Sequence, residues 1–348
     1  MNCANFIANG TRWRHLGPVV LARGPAGAFD CGVVGDPCIV WDPDIGNWRM
    51  FYFAAAEQFS SVATGVAVAR SSKHVDSGDW VKIGRLPILG PHAELCHKFW
   101  VLMSPQTPGQ PVRVGDEYLA FFTTLRDGAK VIGRARARYL GGPWHTDAEP
   151  VIAVGAADAF DGRGADAVTA YWFADRNQIL LFYMAYPAKP QRDQALSPLG
   201  PCQAAAVLDP NAAHAEKLGP VLRPGSAARH WCNGWIGGLQ LLPTLNQQWV
   251  ALLNGSATPV REGHGEPDPS VAGWARSEEA FPVSGWRFDL KQSPIELPTA
   301  LSPAAKQAGE ATNFWRHYLL VLPDERVRIY YNSGAYGNEQ IYARVWQP

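Results

Sequence analysis

Short apolar, aromatic-rich segments alternate along the chain with tight polar turns, and the alternation recurs. One series reads "NWRMFYFAA", "DEYLAFFTT", "NQILLFYMA", "QQWVALLNG" and "ERVRIYYNS", preceded by the turns "DPDIGN", "VGDE", "ADRNQ", "TLNQ" and "PDER". A second series follows it: "TGVAVARS", "KVIGRARA", "CQAAAVLD", "VAGWARSE" and "EQIYARVW". Aromatic and β-branched residues, a period of two and turn punctuation predict strands, and no long stretch carries the 3.6-residue period of a helix. Asp42, Asp44, Asp116, Asp175 and Asp324 fall in or beside the first hairpin turns, where Asp is favoured for local backbone bonding.

A proline next to aliphatic residues closes each unit, at Pro87, Pro150, Pro220 and Pro294, with spacings of 63 to 74 residues. The last unit stops at "IYARVWQP" without such a segment. The missing piece stands at the N-terminus, as "WRHLGPVVL" around Pro18, at a distance that completes one unit when counted through the chain ends. A repeat finished by its own first strand closes into a ring, and closure removes the exposed edge of an open array. The expected fold is all-β, a five-bladed β-propeller whose fifth blade is completed by the N-terminal strand. Residues 1–348 then form a single domain, with residues 1–11 a loose arm. A large β-sandwich, or two, would also space strands evenly, but gives no reason for a repeat split between the termini.

Composition narrows the partners. With 47% hydrophobic residues the chain can bury a large core, and its 31 basic residues balance 31 acidic ones. No net field draws it to nucleic acid or to an anionic membrane, which leaves a small molecule or an oligosaccharide. The N-terminus lacks a basic segment followed by an apolar core, no apolar run approaches ~18 residues, and six scattered cysteines form no C-x-x-C. A cytoplasmic protein with reduced thiols and no membrane span is expected.

Candidate chemistry lies where the chain repeats itself. "AFDCGVVGDPCIV" starts at Ala28 and "AFDGRGADAVTAY" at Ala159, each placing two aspartates before or within the strand that would line the axis. Asp30, Asp36, Asp161 and Asp166 should therefore converge on one mouth of the channel. Cleavage of a glycosidic bond needs two carboxyl groups, one to activate water or attack, the other to protonate the leaving oxygen, and crowded like charges separate their pKa values. Asp residues at these positions could equally serve as structural caps of repeated loops. The other segments leading into the channel, "PHAELCHKFW", "SAARHWCNGWIGG" and "GEATNFWRHY", offer flat apolar faces (Trp100, Trp231, Trp235, Trp315) and hydrogen-bonding groups (His97, His230, Asn233, Asn313, Arg316, His317). Sugars use both. Long Pro/Gly-rich loops carrying Arg192, Glu262, His264 and Glu266 would wall the mouth. His92, Glu94 and His97 have weak metal-ligand spacing, and no nucleotide, serine-hydrolase or metalloprotease motif occurs, so no cofactor and no metal are expected.

The phrases "GDPCIV" with "NWRMFYFA", "GVAVARSSKHVDSGDWVKIGRLPIL" and "YYNSGAYGNEQIYARV" resemble the five-bladed glycoside hydrolases of the arabinanase/levansucrase/invertase superfamily, family 43 among them, over nearly the whole chain. The resemblance implies a glycosidase or transglycosidase in which a blade-one Asp is base or nucleophile. Asp36 matches this position, with Asp30 its rival. A mid-chain Asp that tunes pKa or holds the sugar falls on Asp166 or Asp161. Members commonly take the acid from a later blade as Glu, but "HWCNGWIGG" contains none. Glu310 is then the carboxylic candidate, with His230 and His317 as alternatives. That departure also keeps open a carbohydrate-binding propeller without catalysis, or an enzyme repurposed for a glycosylated metabolite.

Overall fold

The computed structural model describes residues 13–16, 19–72, 75, 79–187, 200–224, 231–242, 248–256, 270–290, 314–322 and 326–346. The described chain is all-β apart from two 3-10 turns, Glu57–Phe59 and Ala93–Leu95. Val33–Asp42, Asn47–Ala55, Val62–Ala69 and Trp80–Arg85 form one antiparallel four-stranded sheet, and Trp235–Leu242, Trp249–Ser256, Val271–Ser277 and Arg287–Phe288 form another. A third joins the C-terminal strands His317–Val321, Val327–Ser333 and Gln340–Trp346 to the N-terminal strand Trp13–His15, whose residues pair Trp13 with Trp346 and His15 with Arg344. The N-terminal segment thus supplies the fourth strand of the C-terminal sheet.

The remaining ten strands form one sheet made of two antiparallel runs. One contains His97–Val101, Glu117–Arg126, Ala129–Ala137 and Trp144–Thr146, the other Gly164–Phe173, Gln178–Tyr186, Cys202–Leu208 and Glu216–Leu222. The parallel pairing of Lys130 with Gly164 and a parallel bridge between Met103 and Tyr171 connect them. Proline has a meaning that the repeat alone did not reveal. Trp80–Arg85 ends before Pro87, and Ile88–Leu89 pairs instead with Trp144–Thr146 of the next sheet, while the Pro87 carbonyl accepts from Trp144 N at 2.8 Å. Pro87 cannot donate to a ladder, so it marks the exit from one sheet to its neighbour. Pro220, by contrast, sits within its strand opposite Ala204.

The first strand of each run packs against the next in the order Val33–Asp42, His97–Val101, Gly164–Phe173, Trp235–Leu242, His317–Val321 and back to Val33–Asp42. Buried hydrogen bonds staple neighbours together: Trp100 Nε1 to Ala170 O (3.2 Å), Thr169 Oγ1 to Leu239 O (2.7 Å), Leu319 N to Gln240 Oε1 (2.6 Å) and Tyr318 OH to Ile39 O (2.5 Å). Trp100, Tyr171 and Tyr318, from three different first strands, pack with ring centroids 5.4 to 6.0 Å apart and fill the middle of this arrangement. These strands are buried on both faces, which is why their sequences read as near-continuous apolar runs.

The repeated "AFD" has a structural answer. Asp30 accepts from Tyr52 OH at 3.0 Å and pairs with Lys82 Nζ at 2.6 Å; Asp161 accepts from Tyr183 OH at 3.3 Å and pairs with Lys217 Nζ at 2.6 Å. In both cases the tyrosine comes from the second strand and the lysine from the fourth, so each aspartate ties the loop before the first strand across its own sheet. A glycine six residues earlier is obligatory: a Cβ on Gly24 or Gly155 would lie 2.1 Å from the Oδ1 of Asp30 or Asp161. Replacing Lys217 by Met keeps the aliphatic stem and leaves Asp161 buried without its counter-charge. Allowing for the partial exposure of Lys217, urea unfolding should show a loss of about 2–3 kcal/mol; a loss within ~0.5 kcal/mol would place the latch outside the stability of the fold.

Candidate active site

Four first strands bend at the same place. Their pairing slips between Gly35 and Cys38, His97 and Trp100, Asp166 and Thr169, and Ile236 and Leu239. Each slip leaves two residues outside the ladder: Asp36-Pro37, Lys98-Phe99, Ala167-Val168 and Gly237-Gly238. Three of the leading residues have left-handed backbones, Asp36 (φ 47°), Lys98 (φ 54°) and Ala167 (φ 52°). Such conformations are costly for non-glycine residues and re-aim the side chain, as bulges beside functional sites do. Pro37 fits the first bulge because it has no N–H to leave unpaired.

All four bulges reach the wall of one cavity of about 660 Å³, to which they contribute Asp36, Lys98, Ala167, Gly237 and Gly238. His97 and Asp166, each just before a bulge, line it as well. Two asparagines from second strands complete this end. A Cβ on Gly237 would lie 2.4 Å from Asn254 Oδ1 and one on Gly35 2.7 Å from Asn332 Nδ2, so both glycines make room for an amide. Asn332 Oδ1 accepts from Asp36 N at 3.3 Å.

The carboxyl groups here differ sharply in their surroundings. Asp166 is fully buried and accepts from Lys130 Nζ (2.6 Å), Lys98 Nζ (2.8 Å), Thr123 Oγ1 (2.9 Å) and Ala167 N (2.7 Å). Burial alone would raise its pKa, but the two ammonium groups outweigh it and hold Asp166 well below the usual carboxylate range. The Asp36 carboxylate makes no hydrogen bond or ion pair among the described residues. Burial raises its pKa, opposed by the charges of Lys98 and Arg316 and reinforced by Asp166. Glu339, in the loop before the last strand, also lines the cavity and accepts from Gly337 N at 2.9 Å. Burial and then the nearby charge of Asp36 push it up to about 7. One ionised carboxylate, one carboxylate open to a ligand and one carboxylic acid poised near neutrality therefore share a single space.

Arg316, just before His317–Val321, lies 6% exposed on the same wall, donates to Val168 O at 2.5 Å and covers the ring of Trp100. It forms no ion pair with an acidic side chain among the described residues. Burial, followed by the charge of Lys98, drives His97 down to about 3, so its imidazole is neutral. Trp235 and Trp315 stack with centroids 5.9 Å apart and planes 11° from parallel, and both face the cavity.

The structure thus brings Asp36, Asp166, His97, Trp235, Trp315 and Arg316 together. Asp30 and Asp161 do not line the cavity; each is held by its lysine and tyrosine. Trp100 belongs to the central aromatic cluster, and Trp231 packs against Phe288. His317 Nε2–H donates to Leu252 O (2.9 Å), burial drives its pKa down to about 3, and neither it nor Asn233 lines the cavity wall. His230, Asn313 and Glu310 lie outside the described residues, as do Arg192, Glu262, His264 and Glu266. Sequence reasoning missed Lys98, Lys130, Asn254, Asn332 and Glu339. Among the described residues no group of three or more His, Cys, Asp or Glu could hold a metal ion, and no helix is long and apolar enough to cross a membrane.

No family model matches the sequence, and no curated protein matches it. Solved structures do. A complex of BT0996 with RGII superposes with a TM-score of 0.72 at 14% identity, covering 99% of this chain and 94% of that one. The catalytic domain of a GH62 α-L-arabinofuranosidase from Coprinopsis cinerea gives 0.63 at 11% identity over 97% of both chains. A thermostable family-43 glycoside hydrolase gives 0.58 at 13% identity over 94% and 93%. The chain shares the all-β fold of these propeller glycoside hydrolases, a likeness of fold at such identities.

Glu339 makes stability depend on pH in a defined window. Between about 4.5 and 7 the folded chain keeps a proton on Glu339 that the unfolded chain releases, so stability falls as pH rises through this range. His97 and His317 act in the opposite sense, costing stability as pH falls from 6.5 towards about 3. The difference between wild type and Glu339→Gln isolates the first effect. In urea unfolding, wild type should lose about 3 kcal/mol more than the variant between pH 4.5 and 8; parallel pH profiles would mean that Glu339 ionises normally.

Proposed function

We propose that this protein hydrolyses or transfers a glycosidic bond. One observation carries the reading: Asp36 and Glu339 face the same cavity, burial raising the pKa of both and the charge of Asp36 adding to the rise at Glu339, while Asp166 is held as an anion beside them. In this assignment Asp36 is base or nucleophile, Glu339 is the acid that protonates the leaving oxygen, and Asp166 holds the lysines and the local field. Glu339 takes the place that sequence reasoning gave to Glu310. Lys98, Asn254, Asn332 and Arg316 are hydrogen-bonding partners for sugar hydroxyls, and the Trp235–Trp315 pair offers a face for the ring. The substrate is a glycoside or oligosaccharide. Two structures of similar fold, the BT0996 complex with RGII and an α-L-arabinofuranosidase from Podospora anserina in complex with cellotriose, support a carbohydrate ligand.

The scaffold in this reading is a single-domain propeller of five blades, the fifth completed by the N-terminal strand. The cyclic packing of the first strands and the pairing of Trp13–His15 with the C-terminal sheet support it. Cys31, Cys38, Cys96 and Cys202 are thiols, which fits a reducing, cytoplasmic setting.

A panel of aryl arabinofuranosides, xylosides, galactosides, mannosides and fructosides tests the reading. Wild type should turn over at least one of them, and Asp36→Asn should reduce kcat by about 10²–10⁴-fold. Glu339→Gln should slow substrates with poor leaving groups most and abolish the fall in rate near pH 7. Carbohydrate binding with no turnover by wild type would replace the enzyme by a binding protein.

A further inference from the structure

The cavity wall divides by chemistry. Asp36, Asp166, Glu339 and the two asparagines gather at the bulges, but much of the remaining wall is aliphatic or aromatic. Two small apolar clusters, separate from the main core, supply it. One is Val33, Phe53 and Ala55 with Phe59 and Val62 packed on them; the other is Ala167, Met184 and Trp235 with Tyr186 and Trp315. Leu95 and Leu125, each 39% exposed, continue the apolar surface.

Stacked tryptophans suit the C–H face of a sugar. Val33, Val62, Leu95 and Leu125 do not, because sugar hydroxyls set against them lose their hydrogen bonds to water and gain none. Apolar surface left open in a cleft gains free energy when an apolar group covers it. The loop that carries Phe59 is itself strained to this end, with left-handed backbones at Gln58 (φ 54°) and Phe59 (φ 56°). It sets the Phe59 ring 6.4 Å from Phe53 and 5.5 Å from Tyr336, forming an aromatic rim. A bulky residue holds such a conformation only where its surroundings compensate.

We infer that the glycoside bound here carries an aromatic, apolar aglycone rather than a further sugar, and that this aglycone seats on the surface formed by Val33, Phe53, Phe59 and Val62. The inference rests on the glycosidase reading for the position of the sugar ring. It makes the substrate a phenol-type glycoside and the cavity a two-part site.

Non-hydrolysable thioglycosides separate the two readings. For each glycone of the panel, S-phenyl and S-methyl thioglycosides are titrated calorimetrically into the full chain. The S-phenyl compound of at least one glycone should bind 10-fold or more tighter than its S-methyl partner, and Val62→Asn should shrink the ratio below about 3-fold. Thermal melting checks the fold of the variant, and Phe59→Ser, at a partly exposed position of the same surface, replaces it if Val62→Asn does not fold. Equal affinity for the two aglycones, a ratio unchanged in the variant, tighter binding of a disaccharide than of any S-phenyl compound, or no S-phenyl binding at millimolar concentration overturns the inference. Selective S-phenyl binding without turnover of any O-glycoside would instead remove the glycosidase reading and leave the apolar seat standing.

Discussion

The first strands crowd around one axis, and the bend that crowding imposes on them is the constraint from which the site follows. Five strands that touch in a cycle cannot all run straight into the same central space. Four relieve it with a bulge of two residues at a common level. A bulge frees a side chain from the alternation of the ladder and turns it along the axis. The hydrogen bonds between neighbouring first strands, from Trp100, Thr169, Gln240 and Tyr318, fix the strands below the bulges, so the turned residues stand on a rigid floor. Site geometry and core packing are therefore consequences of one arrangement.

Charge then differentiates residues that the backbone treats alike. Lys98 occupies the bulge position of the second run as Asp36 occupies that of the first, and it reaches Asp166 together with Lys130. Two ammonium groups against one buried carboxylate fix Asp166 as an anion over any ordinary pH. Among the described carboxyl groups of the cavity, that leaves Asp36 and Glu339 able to change protonation. The charge on Asp36 favours the protonated form of Glu339, and the desolvation of both strengthens the coupling. Which carboxyl group holds a proton is set by burial and by which carboxylate already has cations.

The strands, their order of recurrence and the split between the termini were legible because each unit repeats the same apolar and turn pattern. Asp36 and Asp166 were legible for the same reason, since both sit at repeated addresses. Asp30 and Asp161 looked equivalent to them in sequence, and only the partners distinguish them: Tyr52 with Lys82 and Tyr183 with Lys217 lie 22 to 56 residues away, at distances the linear pattern does not weigh. Lys98 was hidden beside His97 and Trp100, because alternation assigns neighbouring residues to opposite faces and a bulge breaks that rule. Glu339 was hidden because it belongs to a short loop before a third strand, whereas the repeat points to segments that lead into first strands. A glycine-rich stretch, "SGAYGNEQ", marks that loop as tightly turned, and its Gly337 N–H is indeed spent on the Glu339 carboxyl.

The occupants of the bulges also differentiate the cavity wall. The leading positions carry Asp36, Lys98, Ala167 and Gly237: two charged groups on one side, two small residues on the other. Ala167 packs with Met184 and Trp235, and with Tyr186 and Trp315, in one apolar cluster of the cavity wall, and the Gly237-Gly238 pair adds no side chain to that wall. A bulky residue at Gly237 would collide with Asn254, and one at Gly238 would press on Arg316, whose side chain lies 3.5 Å from the Cβ position. One backbone device, repeated four times and filled with different side chains, thus brings Asp36 and Lys98 to the same wall as two positions without bulk.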